Sequence, residues 1–301
     1  MSGERGPIVI GGLAHSGKTQ LRVVLGAHPG LSMTRRTYMW DRFYGRFGDL
    51  SRRYNLDRCL AALAADKDVR KLGPDPNRIR NDFLEGPSTY ARVFALVHEH
   101  HAQRLGKRRW GDQLGFVERF VEPIFAAFPS ARIIHMIRDP RAEHETDTSI
   151  VRGKRGRLGW ETAKWLCSAD LAEHNRRHYP NNYRVVRYET FAARPEQTVR
   201  ELCGFILEEY VPEMHRALET LSFDPHEFHE ATFQRRASPD MAFIDMYARQ
   251  MMLAFDYPAT RGSLSLRDRS SFLLADWPLN RAGMVAWRVL KGRPPAKRVR
   301  G

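Results

Sequence analysis

Short uninterrupted apolar runs alternate along this chain with stretches of helical spacing. Pro7-Ile-Val-Ile-Gly-Gly12 reads as a buried strand running into glycine. Leu13 to Ser16 form a turn, and from Gly17 the spacing of Leu21, Val24 and Leu25 places one apolar face on a helix. His28-Pro29-Gly30 stops it. Residues 31–60, rich in Arg, Tyr, Trp and Phe with weak periodicity, read only as loop with short helices. Helical patterns return over 86–105, where Val93, Leu96 and Val97 share a side, and over 117–128, ended by Phe128-Pro129-Ser130. A second strand, Ala131 to Ile137, opens through Arg138-Asp139-Pro140-Arg141 into a helix reaching about Ser149. A long helix over 159–178 carries Trp160 and Trp165. A third strand, Tyr183 to Tyr188, precedes a helix over 195–207. Strands separated by helices predict an α/β protein with a parallel sheet and right-handed crossovers.

Composition narrows this picture. The chain has 301 residues, 42% of them hydrophobic, enough for a sizeable core. The reading is one α/β domain over 1–262, followed by a Ser- and Arg-rich segment and a basic C-terminal tail over 263–301. No apolar run approaches the roughly 20 residues that span a bilayer. The first residues carry charge with no apolar stretch behind it, which argues against a secretory signal. Cys59, Cys167 and Cys203 are odd in number and far apart, so no disulfide scaffold is expected and a reducing cytoplasm is the expected compartment.

The net charge of +14 predicts an anionic partner: nucleic acid, an anionic membrane surface, or a phosphorylated or sulfated small molecule. Nucleic acid is not expected, because the basic loop over 152–157 lacks interleaved aromatics and no nucleic-acid motif is present. Met284 to Lys291 is basic and amphipathic, which fits contact of the tail with a membrane surface and suits a lipid or glycolipid acceptor. His98-Glu-His-His101 and His226-Glu-Phe-His229 each space two histidines at i, i+3. Without partner ligands they predict no metal site.

The chemistry concentrates after the first strand. Gly12-Leu-Ala-His-Ser-Gly17-Lys18-Thr19 fits G-x-x-x-x-G-K-[ST] at every fixed position. Glycines let backbone N–H groups converge on phosphate oxygens, the helix N-terminus adds partial positive charge, and the lysine reaches along the polyphosphate. The strand before and the helix after make this a P-loop NTPase-like three-layer fold with a central parallel sheet. Two enzyme classes use such a loop. In a Mg²⁺-ATP kinase or NTPase, Lys18 would contact the β- and γ-phosphates, Thr19 the metal, and Asp139 would hold it from the second strand's end.

The other class is suggested by three motifs in order. Ile8 to Arg22 with Leu25-Gly-Ala-His-Pro-Gly-Leu-Ser, then Phe128-Pro-Ser-Ala-Arg-Ile-Ile-His-Met-Ile-Arg-Asp-Pro-Arg, then Val186-Arg-Tyr-Glu-Thr-Phe with Arg194-Pro-Glu, resemble the signatures of the sulfotransferase family. The resemblance covers about residues 7–210. It implies the donor 3′-phosphoadenosine-5′-phosphosulfate without a metal, and transfer to a hydroxyl of a small-molecule, lipid or carbohydrate acceptor. It further implies that His15, Ser16, Gly17, Lys18, Thr19 and Gln20 cradle the 5′-phosphosulfate. By the same resemblance, Arg138 and Thr146 hold the 3′-phosphate and Tyr188 lies near the adenine. Arg235 and Arg236 are candidates to close over the nucleotide.

The chain departs from the family at three places. His15 stands where the loop usually carries Arg or Lys, and Gln113 where relatives carry a lysine ahead of the second signature. Thr34-Arg35-Arg36-Thr37 occupies the region of the glutamate base of several relatives. The candidates for a base are therefore Asp112, Asp41 and His144, with Lys18, Asp112 and Asp41 the expected catalytic set. A nucleotide-binding protein that has lost catalysis stays open as a third reading.

Overall fold

The computed structural model describes residues 5–144, 156–221, 223, 238–258, 269–270, 273 and 277–290. Five strands form one sheet: β1 (Ile8–Gly12), β2 (Leu31–Arg35), β3 (Arg109–Gln113), β4 (Arg132–Ile137) and β5 (Tyr183–Arg187). Their order is β2-β3-β1-β4-β5, and every pairing is parallel. β1 is central, with Ile8 beside Gly111 of β3 on one edge and Arg132 of β4 on the other.

Alternating side chains of the inner strands feed two cores, as a sheet covered on both faces requires. Val9, Ile133 and Ile137 face one core with Phe94, Trp165 and Phe243. Ile8, Ile10, Ile134 and Met136 face the other, with Leu21 and Leu25 of the Lys18–Ala27 helix and with Leu202 and Ile206. The result is the expected three-layer parallel α/β fold.

Two strands lie where sequence patterning showed none. β2 (LSMTR) falls within the stretch read as loop and short helices, and β3 (RWGDQ) within an unassigned stretch. Both are short, and their buried positions include Ser32, Thr34, Asp112 and Gln113 in place of an apolar run; Thr34 donates to Asp112 between the two strands. β5 stops at Arg187, and Tyr188 opens a helix to Ala193. The 117–128 pattern is a 3₁₀ turn, Val117–Arg119, followed by a helix, Val121–Ala127. The 31–60 stretch also contains most of a helix, Arg53–Ala65.

The expected boundary at 262/263 lies outside the described residues. Within the expected tail, the Trp277–Leu290 helix packs along the long Arg157–His178 helix, burying Asn280, Met284 and Trp287. Gly283 permits that approach, since a Cβ there would stand 2.1 Å from the Gly156 carbonyl oxygen. Among the described residues, no helix is long and apolar enough to cross a membrane.

Candidate active site

The carboxyl ends of β1, β3 and β4 converge on the first glycine loop, the usual location of ligands in open parallel sheets. His15 (φ 61°) and Gly17 (φ 84°) take left-handed conformations, and the Ser16 hydroxyl donates to the Leu13 carbonyl at 2.8 Å, closing the loop. The Lys18–Ala27 helix starts with no side-chain cap, so no capping side chain occupies the N–H groups of its first turn. That is the backbone geometry of an anion cradle.

Lys18 is buried beneath the loop. Its ammonium donates to the Gly12 carbonyl and, at 3.5 Å, to that of Leu114. Burial lowers its pKa to about 8, against the pull of the Glu118 and Glu143 carboxylates and with the help of Arg36.

Arg138 and Tyr188 complete the cradle. The Arg138 guanidinium donates to the His15 carbonyl at 3.0 Å and lies 4.7 Å from the centre of the Tyr188 ring. The Tyr188 ring presses on Gly17 so closely that a Cβ there would stand 2.4 Å from its Cδ2. Gln20 donates to the Tyr188 hydroxyl at 3.5 Å, and the Trp165 indole fixes the Arg138 carbonyl at 2.9 Å. Residues from three distant motifs thus meet around one loop. Thr146, Arg235, Arg236 and the histidine pair at 226–229 lie outside the described residues.

Gln113, expected from the resemblance to stand in for a lysine, donates to the Thr19 hydroxyl at 3.3 Å and accepts from Arg22 Nε at 3.1 Å. Arg22 feels the charges of Arg35 and Arg36, so three guanidiniums cluster beside the loop. Asp139, the candidate metal-holding acid, is instead gripped by Arg141, which donates from Nε at 3.0 Å and Nη2 at 2.6 Å.

The candidate bases have different surroundings. Asp112 is buried, accepting from the Thr34 hydroxyl at 2.8 Å and from the Thr37 hydroxyl, with His98 at 3.6 Å. Burial raises its pKa to about 7, opposed by the Thr37 and Thr34 hydrogen bonds. Burial also holds His98 neutral, with a pKa lowered to about 3. Asp41 is exposed on the short Met39–Arg42 helix. His144 is clamped between Glu161 at 3.2 Å and Asp240 at 3.3 Å. Burial would lower its pKa, but the two carboxylates raise it to about 9, which makes it a cation at neutral pH.

Glu143 and Lys164 were not legible as site residues. They line a small pocket with Leu13, Ala14 and His15 of the loop, Pro140, and Trp165. Burial raises the Glu143 pKa to about 8, against Lys164, Arg138 and Lys18, all close enough to pull it down. Glu118 is a further buried acid near Lys18. It accepts from Ser168 and lies 3.7 Å from His135. Neither glutamate falls at a signature position, so only folding reveals them. Among the described residues no cluster of three or more His, Cys, Asp or Glu is arranged to hold a metal.

The comparisons with known proteins bear on the family and the fold. The model of the Sulfotransferase family matches residues 7–213. The fold is similar to that of the sulfotransferase domain from the Synechococcus PCC 7002 olefin synthase, with 18% identity, a TM-score of 0.53, and coverage of 85% of this chain and 97% of that one. It is also similar to the sulfotransferase domain from the curacin biosynthetic pathway, with 15% identity, a TM-score of 0.57, and coverage of 85% and 99%. A search of curated proteins finds no match.

Proposed function

Since the chain belongs to the sulfotransferase family, we propose that it transfers the sulfuryl group of 3′-phosphoadenosine-5′-phosphosulfate to a hydroxyl of a small-molecule, lipid or carbohydrate acceptor. The observation that carries this reading is the position of Arg138, hydrogen-bonded to the first loop at His15 and stacked on Tyr188. A guanidinium fork beside a phosphate loop suits a second, separate phosphate of one nucleotide. The tight turn at Gly17 and the uncapped helix start suit the 5′-phosphosulfate.

In this reading the donor supplies an activated sulfuryl group and leaves as adenosine 3′,5′-bisphosphate. The chain's own residues position and neutralise. The amides from His15 to Gln20 would meet the donor's equatorial oxygens, where charge stabilisation counts most, and Lys18, held beneath the loop on the Gly12 and Leu114 carbonyls, would add its positive charge from below. Arg22, held by Gln113, and Arg36, close enough to Lys18 to depress its pKa, supply the positive charge that relatives carry as lysine at position 113. Thr146 remains the proposed hydroxyl partner of Arg138.

Three carboxylates are candidates to take the acceptor's proton. Asp112 is occupied by two threonine hydroxyls, and its role in our reading is to hold the 34–38 turn that carries Arg36. Asp41 is exposed and makes none of the contacts that assemble the cradle. Glu143 lines the pocket beside the loop and has a pKa near the working pH, as a general base requires. We assign the proton transfer to Glu143 and a cytoplasmic setting to the enzyme. Cys59 and Cys203 are buried and all three cysteines are free.

Thermal stabilisation by adenosine 3′,5′-bisphosphate without metal, compared with Mg²⁺-ATP, tests the donor. At 100 times its dissociation constant a ligand adds roughly 2.7 kcal/mol. Stabilisation by Mg²⁺-ATP alone would overturn the assignment in favour of a kinase.

A further inference from the structure

The Trp277–Leu290 helix has two apolar faces, and the fold uses one. Asn280, Met284 and Trp287 point into the Arg157–His178 helix. A half-turn away, Pro278, Ala282, Val285 and Val289 form a stripe at helical spacing, widened by Leu279, Ala286 and Leu290. Val285 is 54% exposed, Val289 66% and Leu290 69%. Arg281 and Arg288, seven positions apart, run along one border of this stripe, both exposed. A contiguous apolar face of this kind marks an interaction site.

The charge around it selects the partner. From Trp277 to the last residue the sequence contains Arg281, Arg288, Lys291, Arg293, Lys297, Arg298 and Arg300 and no acidic residue. A second copy of this chain would bring the same cations to the same face. An anionic lipid surface matches both halves of the pattern, with acyl chains for the valines and leucines and headgroups for the arginines. We propose that the outer face of the Trp277–Leu290 helix docks the enzyme in the plane of an anionic membrane surface.

The test is co-sedimentation of the full chain with vesicles of phosphatidylcholine, with or without phosphatidylserine. Wild type is expected to pellet with the anionic vesicles and to be released by salt. Val285→Asp/Val289→Asp alters only exposed positions and keeps every basic residue, and it should weaken that binding at least tenfold. Arg281→Glu/Arg288→Glu should do the same, and both variants should keep the wild-type circular dichroism. Absence of wild-type binding, equal binding to neutral vesicles, or undiminished binding of the valine variant would overturn the proposal. So would a wild-type dimer in light scattering that the valine variant turns into monomer, since a second copy would then own the face.

Discussion

Arg138 ties the first loop to the third motif: its guanidinium donates to the carbonyl of His15 at 3.0 Å while lying 4.7 Å above the ring of Tyr188. Neither contact needs ligand, so the fork is held in place before any phosphate arrives. Arg138→Ala should weaken adenosine 3′,5′-bisphosphate about 10- to 100-fold, the loss of a charged hydrogen-bond pair. Adenosine 5′-monophosphate, lacking the 3′-phosphate, should lose far less. Calorimetric titration of both ligands checks the difference, and equal losses would sink the 3′-phosphate role.

Lys18 predicts a proton signature. Burial brings its pKa down from 10.5 to about 8. Between those values the unfolded chain holds a proton that the folded chain lacks, so this group favours folding more as pH rises from about 8 to 10.5. A bound anion restores the charge. Binding of the bisphosphate at pH 8 to 9 should therefore take up a fraction of a proton, read as a dependence of binding heat on buffer ionisation enthalpy. Lys18→Ala should abolish the uptake along with most of the affinity.

Asp112 predicts an opposite stability slope. Its pKa is raised from 3.8 to about 7, so the folded state retains the proton longer and stability falls as pH climbs through that window. The penalty reaches at most ~4 kcal/mol above pH 7. Asp112→Asn removes the titrating group and keeps an acceptor for Thr34 or Thr37. The melting temperature of the variant relative to wild type should rise between pH 4 and 7, and a flat difference would contradict the burial argument.

Glu143 predicts the acid limb of the rate profile. A base whose pKa is raised to about 8 works only once deprotonated, so turnover should rise with pH through about 8. Glu143→Gln should lower kcat about 100-fold or more, leave bisphosphate affinity within a few fold, and flatten that limb. Retention of the limb in the variant would return the role to Asp112 or Asp41.

How much of this could be read from the sequence follows from where apolar side chains were needed. β1 and β4 are buried strands rich in Ile and Val, β5 carries Val185 and Val186 between two arginines, and the glycine loop between strand and helix announces itself. β2 and β3 gave no such signal, because polar residues fill their buried positions: Thr34 donates to Asp112 across the pair, and Gln113 bonds to Thr19 and Arg22 of the first helix. The same substitution of polar pairing for apolar packing hides the site's own chemistry. Gln113 looked like a lost lysine until its bonds to Thr19 and Arg22 appeared. Glu143 carried no motif at all. Asp139 looked available until Arg141 was seen to occupy it.

The strand order also sets when during synthesis the loop can become a site. β1 is made first, yet Ile8 pairs with Gly111 on one edge and Arg132 on the other. A nascent chain ending before β3 leaves both hydrogen-bonding edges of β1 open, and the glycine loop then hangs from an unsupported strand. Contacts that span a hundred residues form slowly. The loop that the sequence announces in its first twenty residues thus acquires its shape only after the chain has grown past Ile137.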